Sequence, residues 1–232
     1  MLCVAPAWNE EKRIAAVVKA MPPEVDTCLV VDDGSTDTTG EVARAAGAEV
    51  LRNEKNTGVG ASIRSGIERA IEGGYDIVAV VSGGGKTPPA QIPRLLAPIA
   101  LGKADFTQGS RYLDGGEFRN MPWSRRWGTR GYSFLFSLFL GSRITDASSG
   151  FRAVRTSLFK DERIKLRQEW LDRYELEPYL LFQAVRRGHR VIEVPVTIEY
   201  PTNTKKYTKM RPLLDWWKIF RPVVFLRLGL KD

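Results

Sequence analysis

Residues 28–37 constrain the fold more than any other part of this chain. Their sequence, CLVVDDGSTD, is an apolar run of strand-forming residues that ends abruptly in carboxylates, a glycine and hydroxyl groups. The same arrangement begins at Leu2, where an apolar run stops at Pro6 and opens into a helical segment headed by Asn9. Two short strands separated by a helix of this length predict a βαβ unit. Ligands bind at the carboxyl edge of such parallel strands, so we expect both polar turns to face a ligand.

The length and composition favour one domain. The chain has 232 residues, 43% of them hydrophobic, which is enough for a single sizeable core, and no Pro- or Ser-rich linker divides it. Strand and helix patterns alternate through the first half and are followed by mixed elements: an irregular segment over residues 113–127, a helix over residues 129–140 and a strand over residues 189–198. We therefore predict an α/β fold, Rossmann-like, with three α/β/α layers and a mostly parallel central sheet.

The formal net charge of +8 is concentrated near the carboxyl terminus. Residues 201–232 carry eight Lys or Arg and only two Asp. Such a segment favours an anionic neighbour: nucleic acid, an anionic membrane surface or a phosphorylated substrate. Net charge does not choose among these, but the aromatic residues follow no nucleic-acid recognition motif, so we expect no nucleic acid.

Cysteine usage and hydropathy indicate the compartment. Cys3 and Cys28 lie inside apolar runs, which predicts small core residues in a reducing compartment rather than a disulfide framework. No signal peptide precedes the first strand, and the longest apolar run, residues 132–141, is too short to span a bilayer. A cytoplasmic protein is expected. Residues 207–221 leave two alternatives open: a helix packed on the domain, or peripheral contact with the inner face of the membrane.

Several motifs occur together, in a fixed order. They are PAWNEE and VVDDGSTD after the first two strands, NTGVGASIRSG at 56–66, GSRY at 109–112, DASSGFRA at 146–153 and EVPV at 193–196. Together they resemble family 2 glycosyltransferases of the GT-A fold, in the branch of dolichol-phosphate mannose synthase and other polyprenyl-phosphate glycosyltransferases. The resemblance implies a nucleotide-sugar-binding half over residues 1–110, an acceptor half over 111–200 and a basic amphipathic segment over 201–232.

By this resemblance, the donor nucleotide-sugar lies against the ends of the first strands. The carboxylate of Asp33 is expected to face the base or ribose, because it can accept hydrogen bonds from either. A capped turn before a helix is the alternative role for this acid. The other residues assigned to the donor site are Pro6, Ala7, Asn9, Glu10, Gly58, Arg64, Ser82, Gly83, Gly84 and Gly85.

The chain departs from the resembling family at the metal site. That family places an Asp-x-Asp pair, and then a glutamine, before a helix that starts at paired prolines. In this chain Ser82 and Gly84 occupy the aspartate positions, and Lys86 replaces the glutamine. Because Mg²⁺ and Mn²⁺ are rarely held without carboxylates, we predict no metal site and no cofactor. We expect Lys86 and the main-chain N–H groups of residues 83–85 to hold the diphosphate instead.

The acceptor half is expected to present arginines and a carboxylate. In the resembling family, arginines at such places hold the acceptor's phosphate, while solvated surface charge is the alternative for each one. Asp146 is the first candidate for a general base if the acceptor is a hydroxyl, and Glu177 is the second; an ionised phosphate needs none. The acceptor residues are Arg125, Arg126, Arg152 and Glu177, and the catalytic residues are Lys86, Arg111, Asp146 and Lys209, the last in a Thr-Lys pair that resembles a loop closing over the diphosphate.

The resemblance therefore predicts an inverting hexosyltransferase. It would move a sugar from a UDP- or GDP-sugar to a polyprenyl phosphate, with Lys86, Lys209 and the glycine backbone stabilising the departing diphosphate. Two alternatives stay open. One keeps the chemistry but uses a soluble hydroxyl acceptor, which makes Asp146 essential. The other is a non-catalytic nucleotide-sugar-binding protein left by loss of the metal carboxylates.

Overall fold

The computed structural model describes residues 1–201 and 214–231. The strands in this part of the chain are β1 (Leu2–Ala7), β2 (Thr27–Asp32), β3 (Glu49–Arg52), β4 (Ile77–Val80), β5 (Phe106–Ser110), β6 (Glu117–Arg119), β7 (Arg152–Arg155), β8 (Val191–Pro195) and β9 (Thr197–Glu199). The α-helices are α1 (Glu11–Lys19), α2 (Thr39–Ala45), α3 (Val59–Glu72), α4 (Ile92–Ala100), α5 (Trp123–Leu140), α6 (Leu176–Arg186) and α7 (Leu214–Arg227).

Seven strands form one sheet in the order β3-β2-β1-β4-β7-β5-β8, in which only β7 runs antiparallel to its neighbours. Alternate residues of β1 point to opposite faces, as the pleat requires. Val4 packs with residues of α3, α5 and α6 on one face, and Ala5 packs with residues of α1, α2 and α4 on the other. Helices cover both faces of the sheet, which confirms the predicted three-layer architecture.

Several elements differ from the sequence-based prediction, among them β6, which lies in the stretch over residues 113–127 predicted to be irregular. Strand β7 has no predicted counterpart, because its sequence RAVR carries an arginine at each end. Helix α5 begins at Trp123, six residues before the predicted start at Thr129. The strand predicted over residues 189–198 divides into β8 and β9, and β9 pairs with β6 in a separate two-stranded sheet.

Helix α7 packs against α5 and α6. Its Val223 and Leu226 are buried, and Arg221 donates to the buried carboxylate of Glu175 at 2.6 Å. The described part of the carboxyl-terminal segment therefore adopts the packed alternative, while residues 207–213 lie outside the described residues. Within residues 1–201 and 214–231, no helix combines the length and apolar content needed to cross a bilayer.

The two cysteines are neighbours on β1 and β2. Cys3 is buried, Cys28 is half-buried, and both thiols are free. Burial raises the pKa of Cys3 well above its ordinary value and raises that of Cys28 to about 11. Both side chains are therefore protonated and unreactive near neutral pH, as expected of small core residues.

Candidate donor and acceptor site

The polar turns after β1 and β2 are hydrogen-bonded to each other. The main-chain N–H of Asn9 donates to Ser35 Oγ at 2.9 Å, and Asn9 Oδ1 accepts from the N–H of Thr36 at 2.9 Å. The N–H of Glu10 donates to Thr39 Oγ1 at 2.8 Å. Asn9 has a φ of 54°, a left-handed conformation that Asn adopts more readily than most residues. These bonds hold the two turns assigned to the donor together at one edge of the sheet.

The carboxylate of Asp33 is engaged by the loop that precedes α3. It accepts hydrogen bonds from the Asn53 side chain, from the N–H and hydroxyl of Thr57, and from the N–H of Gly58, all at 2.8 to 2.9 Å. The side chain is buried. Asp33 therefore positions this loop against β2, and its predicted contact with a base or ribose remains a prediction.

Gly58 and Arg64, two more residues assigned to the donor, connect α3 to the segment before α6. A Cβ at Gly58 would lie 2.4 Å from the carbonyl oxygen of Asp172, and one at Gly60 would lie 2.1 Å from that of Leu171. Arg64 Nη1 lies 2.7 Å from Asp172 Oδ1. The Arg64 guanidinium is thus already paired with a carboxylate of the acceptor half. In the structure it joins α3 to the segment before α6.

The loop between β4 and α4 lies directly against β1. A Cβ at Gly83 would lie 2.6 Å from the carbonyl oxygen of Pro6 and 3.0 Å from the Cβ of Ala7. A Cβ at Gly84 would lie 3.0 Å from Glu10 Oε1. At Gly83 only a residue without a side chain allows this approach, and the loop brings five of the predicted donor residues into one cluster.

Two of the three glycine amides in this loop are already engaged. The N–H of Gly83 donates to the carbonyl of Pro6 at 3.3 Å, and the N–H of Gly85 donates to that of Ser82 at 3.0 Å. The predicted diphosphate site made of three amides is therefore wrong in its number of donors. Of the three glycine amides, only that of Gly84 has no acceptor among the described residues. A ligand at this loop would therefore meet one free glycine amide, not three.

The same loop offers a poor set of metal ligands. Among the described residues, no group of three or more His, Cys, Asp or Glu side chains is placed to hold a metal ion. Glu10 is the acid whose carboxylate approaches Gly84, and it pairs with Arg13 at 3.1 Å. Mg²⁺ and Mn²⁺ require several oxygen ligands, usually carboxylates. These residues do not fit the divalent metal that the fold family implies.

Lys86 closes this loop. It is half-buried, and its carbonyl accepts the N–H of Glu199 in β9 at 2.8 Å. This bond ties the lysine's backbone to the strand that precedes residues 202–213. The other predicted lysine, Lys209, lies outside the described residues.

Arg111 and Asp146 form a buried ion pair whose side chains are 3% and 0% exposed. Arg111 Nε and Nη2 donate to the two carboxylate oxygens at 2.7 Å each, and the Arg111 main-chain N–H donates at 3.1 Å. The Ser148 hydroxyl donates to Asp146 Oδ1 at 2.9 Å, and Arg111 also contacts the Tyr200 hydroxyl. Although burial opposes it, the carboxylate raises the pKa of Arg111.

These four hydrogen bonds occupy the lone pairs of the Asp146 carboxylate. A general base must present a free lone pair to the proton that it removes. The geometry therefore argues against Asp146 as the base and assigns it to holding Arg111. Likewise, Arg111 is committed to this pair and not open to an acceptor phosphate.

Arg152 and Glu177 form the contact between β7 and α6. Arg152 is 2% exposed, and its guanidinium donates to the main-chain carbonyls of Glu177 at 2.8 Å and Ser149 at 2.6 Å. It lies 3.5 Å from the Glu177 carboxylate. Burial lowers the pKa of Arg152, and the nearby carboxylate opposes this. The structure thus places Arg152 in the core, where it cannot meet an acceptor directly. The Glu177 side chain is 21% exposed, and its role as the second candidate base remains a prediction.

The other two predicted acceptor residues lie in the first turn of α5. The guanidinium of Arg125 stacks 5.4 Å from the Tyr200 ring centre, and that of Arg126 stacks 5.0 Å from the Phe118 ring centre. Arg126 is exposed, and Arg125 is half-buried. Of the three predicted acceptor arginines, these two alone are not buried.

Sequence reasoning missed the role of Glu193 in β8. Its carboxylate accepts the main-chain N–H groups of Thr145 at 2.7 Å and Asp146 at 2.9 Å, which orients the turn carrying the buried ion pair. Partial burial raises the pKa of Glu193. An acid within an apolar strand was the available signal, because a buried carboxylate must find hydrogen-bond donors.

Known proteins share both the motifs and the fold. Residues 3–163 match the family model described as Glycosyl transferase family 2. The UDP-N-acetylglucosamine–dolichyl-phosphate N-acetylglucosaminyltransferase of Methanococcus voltae is 30% identical over 97% of this chain and 95% of its own length. The undecaprenyl-phosphate mannosyltransferase of Micrococcus luteus is 33% identical over 85% of this chain and 82% of its own.

A solved structure shows the same fold. Glucosyl-3-phosphoglycerate synthase from Mycobacterium tuberculosis, in complex with Mn²⁺, UDP and glucosyl-3-phosphoglycerate, superposes with a TM-score of 0.71 over 100% of this chain and 80% of its own. At 22% identity this likeness concerns the fold alone, and it confirms the predicted GT-A fold. The family model covers well over half of the chain, and the relatives cover most of it. The chain is therefore a glycosyltransferase and belongs to glycosyl transferase family 2.

Proposed function

We propose that this protein transfers a sugar, with inversion, from a UDP- or GDP-sugar to a polyprenyl phosphate, and that it holds the donor diphosphate without a divalent metal. The relatives from Methanococcus voltae and Micrococcus luteus, whose names include dolichyl phosphate and undecaprenyl phosphate, support the acceptor class. The observation that carries the proposal is the loop over residues 82–86. It lies at the carboxyl edge of β1 and β4 with one lysine and no carboxylate.

Charge explains how this loop would serve the reaction. Negative charge develops on the departing nucleoside diphosphate, so a cation placed there lowers the barrier. The Lys86 ammonium would supply that charge, and the Gly84 N–H would supply one hydrogen bond. Glu10 lies close to Gly84, but its pairing with Arg13 reduces the repulsion that it would exert on a diphosphate. We assign a second cation to Lys209 on the strength of the sequence alone.

The buried pair of Arg111 and Asp146 favours a phosphate acceptor over a soluble hydroxyl compound. A hydroxyl acceptor needs a general base, whereas a phosphate is already ionised near neutral pH and needs none. The first candidate base, Asp146, has its oxygens occupied. Arg125 and Arg126 in α5 are the arginines that we assign to the acceptor's phosphate, because neither residue is buried.

The main test is donor binding with and without metal, measured by titration calorimetry with UDP- and GDP-sugars. Saturating EDTA should leave binding unchanged, and Lys86→Ala should weaken it about tenfold or more, as expected for a lost charge-assisted bond. Lys103→Ala, an exposed lysine just before β5 at the opposite edge of the sheet, is the matched control and should have no effect. Loss of binding in EDTA alone would reject the metal-free site.

Restoring the carboxylates provides a second test. In the double variant Ser82→Asp with Gly84→Asp, donor binding should become weaker in EDTA, because two added carboxylates repel the diphosphate, and should recover with Mn²⁺. Unchanged binding under both conditions would show that this loop does not contact the diphosphate. A transfer assay with detergent-dispersed polyprenyl phosphate in EDTA then tests catalysis, since a protein that only binds donor would release no nucleoside diphosphate.

A further inference from the structure

One face of α5 is apolar and exposed to solvent. Trp123, Trp127, Phe134 and Leu138 are 75%, 58%, 70% and 66% exposed. At 3.6 residues per turn, these four side chains fall within about 60° of one another around the helix. They form a stripe along α5, interrupted by Arg130 and Gly131 between Trp127 and Phe134, which we call the α5 stripe. A large exposed apolar surface of this kind marks an interaction site.

The surroundings of the α5 stripe are strongly basic. Residues 118–145 contain five arginines and no acid. Arg126, Arg130 and Arg143 are all exposed next to the stripe. The partner that covers this stripe therefore carries negative charge as well as apolar groups.

An open groove of about 630 Å³ lies beside the stripe, between α5 and the turn that follows it. Phe134 and Leu138 line one part, and Arg130 and Arg143 line another. Arg130 stacks 4.9 Å from the ring centre of Tyr112, which also lines the groove. Apolar groups and guanidinium groups thus meet in one depression, as a lipid with an anionic headgroup requires.

We propose that the α5 stripe docks on an anionic lipid bilayer, with α5 lying in the plane of the headgroups. Trp side chains favour the membrane interface, and arginines on the same helix attract anionic lipids. The choice of a lipid partner rests in part on the proposed function, because a polyprenyl phosphate presents its phosphate at a membrane surface. The groove beside the stripe would then open onto that surface.

A second copy of this chain fits the stripe less well. A two-fold dimer would place the same patch of both subunits together, which brings Arg126, Arg130 and Arg143 of one copy towards those of the other. No acid in residues 118–145 is available to compensate them. An anionic bilayer neutralises the same charges.

Flotation of the full-length protein with vesicles tests this proposal. The vesicles contain phosphatidylcholine, with or without phosphatidylglycerol, and no polyprenyl phosphate or nucleotide. We expect binding to the anionic vesicles that weakens with salt, and a loss of about tenfold or more in the double variant Trp123→Ser with Trp127→Ser. Leu101→Ser is the matched control and should bind like the wild type, because Leu101 is 68% exposed but follows α4 in the opposite helical layer.

Three outcomes would overturn the proposal. In the first, the wild type does not bind the anionic vesicles. In the second, the tryptophan variant binds them as well as the wild type does. In the third, sedimentation analysis shows a dimer of the wild type that is a monomer in the tryptophan variant. Because the vesicles hold neither substrate, these outcomes concern the docking surface alone. Donor binding and transfer to detergent-dispersed acceptor, measured in parallel, report separately on the proposed function.

Discussion

The donor edge and the acceptor half of this protein use charge in opposite ways. At the donor edge, the loop over residues 82–86 approaches β1 through glycines and carries a single lysine. In the acceptor half, Arg111, Asp146 and Arg152 are all buried and bonded to other protein groups. The loop at the donor edge carries few charged groups. The charged groups of the acceptor half bond to one another and to the backbone, and so hold its turns in place.

This difference shows that a charged motif residue need not contact a ligand. The DASSGFRA segment contributes Asp146 and Arg152, and both stabilise the architecture around the site. The exposed arginines and aromatic residues of α5 belong to none of the motifs. Specificity for the acceptor is therefore expected to depend on α5, and retention of the fold on the motif residues.

The largest effect is expected for Asp146→Asn. Removing this charge leaves the Arg111 guanidinium buried without a counter-ion, which should lower the free energy of unfolding by about 3–5 kcal/mol. Urea unfolding of the two proteins measures the loss. The half-exposed pair of Arg64 and Asp172 is the control, and Asp172→Asn should cost less than about 1 kcal/mol.

A catalytic role for Asp146 would give a different result. Suppose that Asp146→Asn were as stable as the wild type but transferred no sugar. The carboxylate would then be a general base, and its charge would act on the substrate and not on the fold. A second variant, Arg111→Met with Asp146→Leu, separates the two roles. It should recover much of the lost stability, because an apolar pair leaves no buried charge unpaired.

The fold was predictable because its signals are local. Apolar runs ending in polar turns marked β1 and β2, and alternating patterns placed the main helices. Strand β7 was not predictable in this way, because the buried Arg152 needs the carbonyl of Glu177, 25 residues further along the chain, to accept one of its N–H groups. A single sequence does not show contacts between segments far apart in the chain.

The site was predicted less completely, for a related reason. The sequence brought Pro6, Glu10 and the glycine loop together correctly, since adjacent parallel strands place their carboxyl ends side by side. It could not show that Asp146 and Arg111 satisfy each other, because pairing depends on which of several nearby partners each side chain meets. The sequence predicted which residues are charged, and only the structure showed which partner each charged group has.

An intermediate loss of stability is expected for Asp33→Asn at the donor edge. The carboxylate accepts four hydrogen bonds, and the amide group of Asn would face a main-chain or hydroxyl donor in place of one acceptor oxygen. We expect a loss of about 1–2 kcal/mol in unfolding free energy. Thr57→Val removes one of the same bonds without changing the acid. Thr57→Val should therefore lower both the unfolding free energy and the nucleotide affinity, as Asp33→Asn does.

Nucleotide titration of these two variants distinguishes positioning from contact. If Asp33 acts through the loop, both variants lose affinity in proportion to their loss of stability. A drop of more than about tenfold in Asp33→Asn, with Thr57→Val unchanged, would show a direct contact with the base or ribose. The donor edge would then bind the nucleotide through a buried carboxylate, and the two regions would differ less in their use of buried charge.

The smallest effect concerns a pair at the opposite edge of the sheet, before β5 and β8. Hydrogen bonds from Arg190 lower the pKa of Asp105 from 3.8 to about 2. Because the folded-state pKa is depressed, the pair stabilises the protein fully above pH 3.8, and this contribution disappears as the pH falls towards 2. The effect is small since Arg190 is largely exposed. In urea unfolding between pH 5 and pH 2, the difference between wild type and Asp105→Asn should therefore shrink on acidification. A constant difference would mean that Asp105 stabilises the fold without its charge, unlike the buried acid at Asp146.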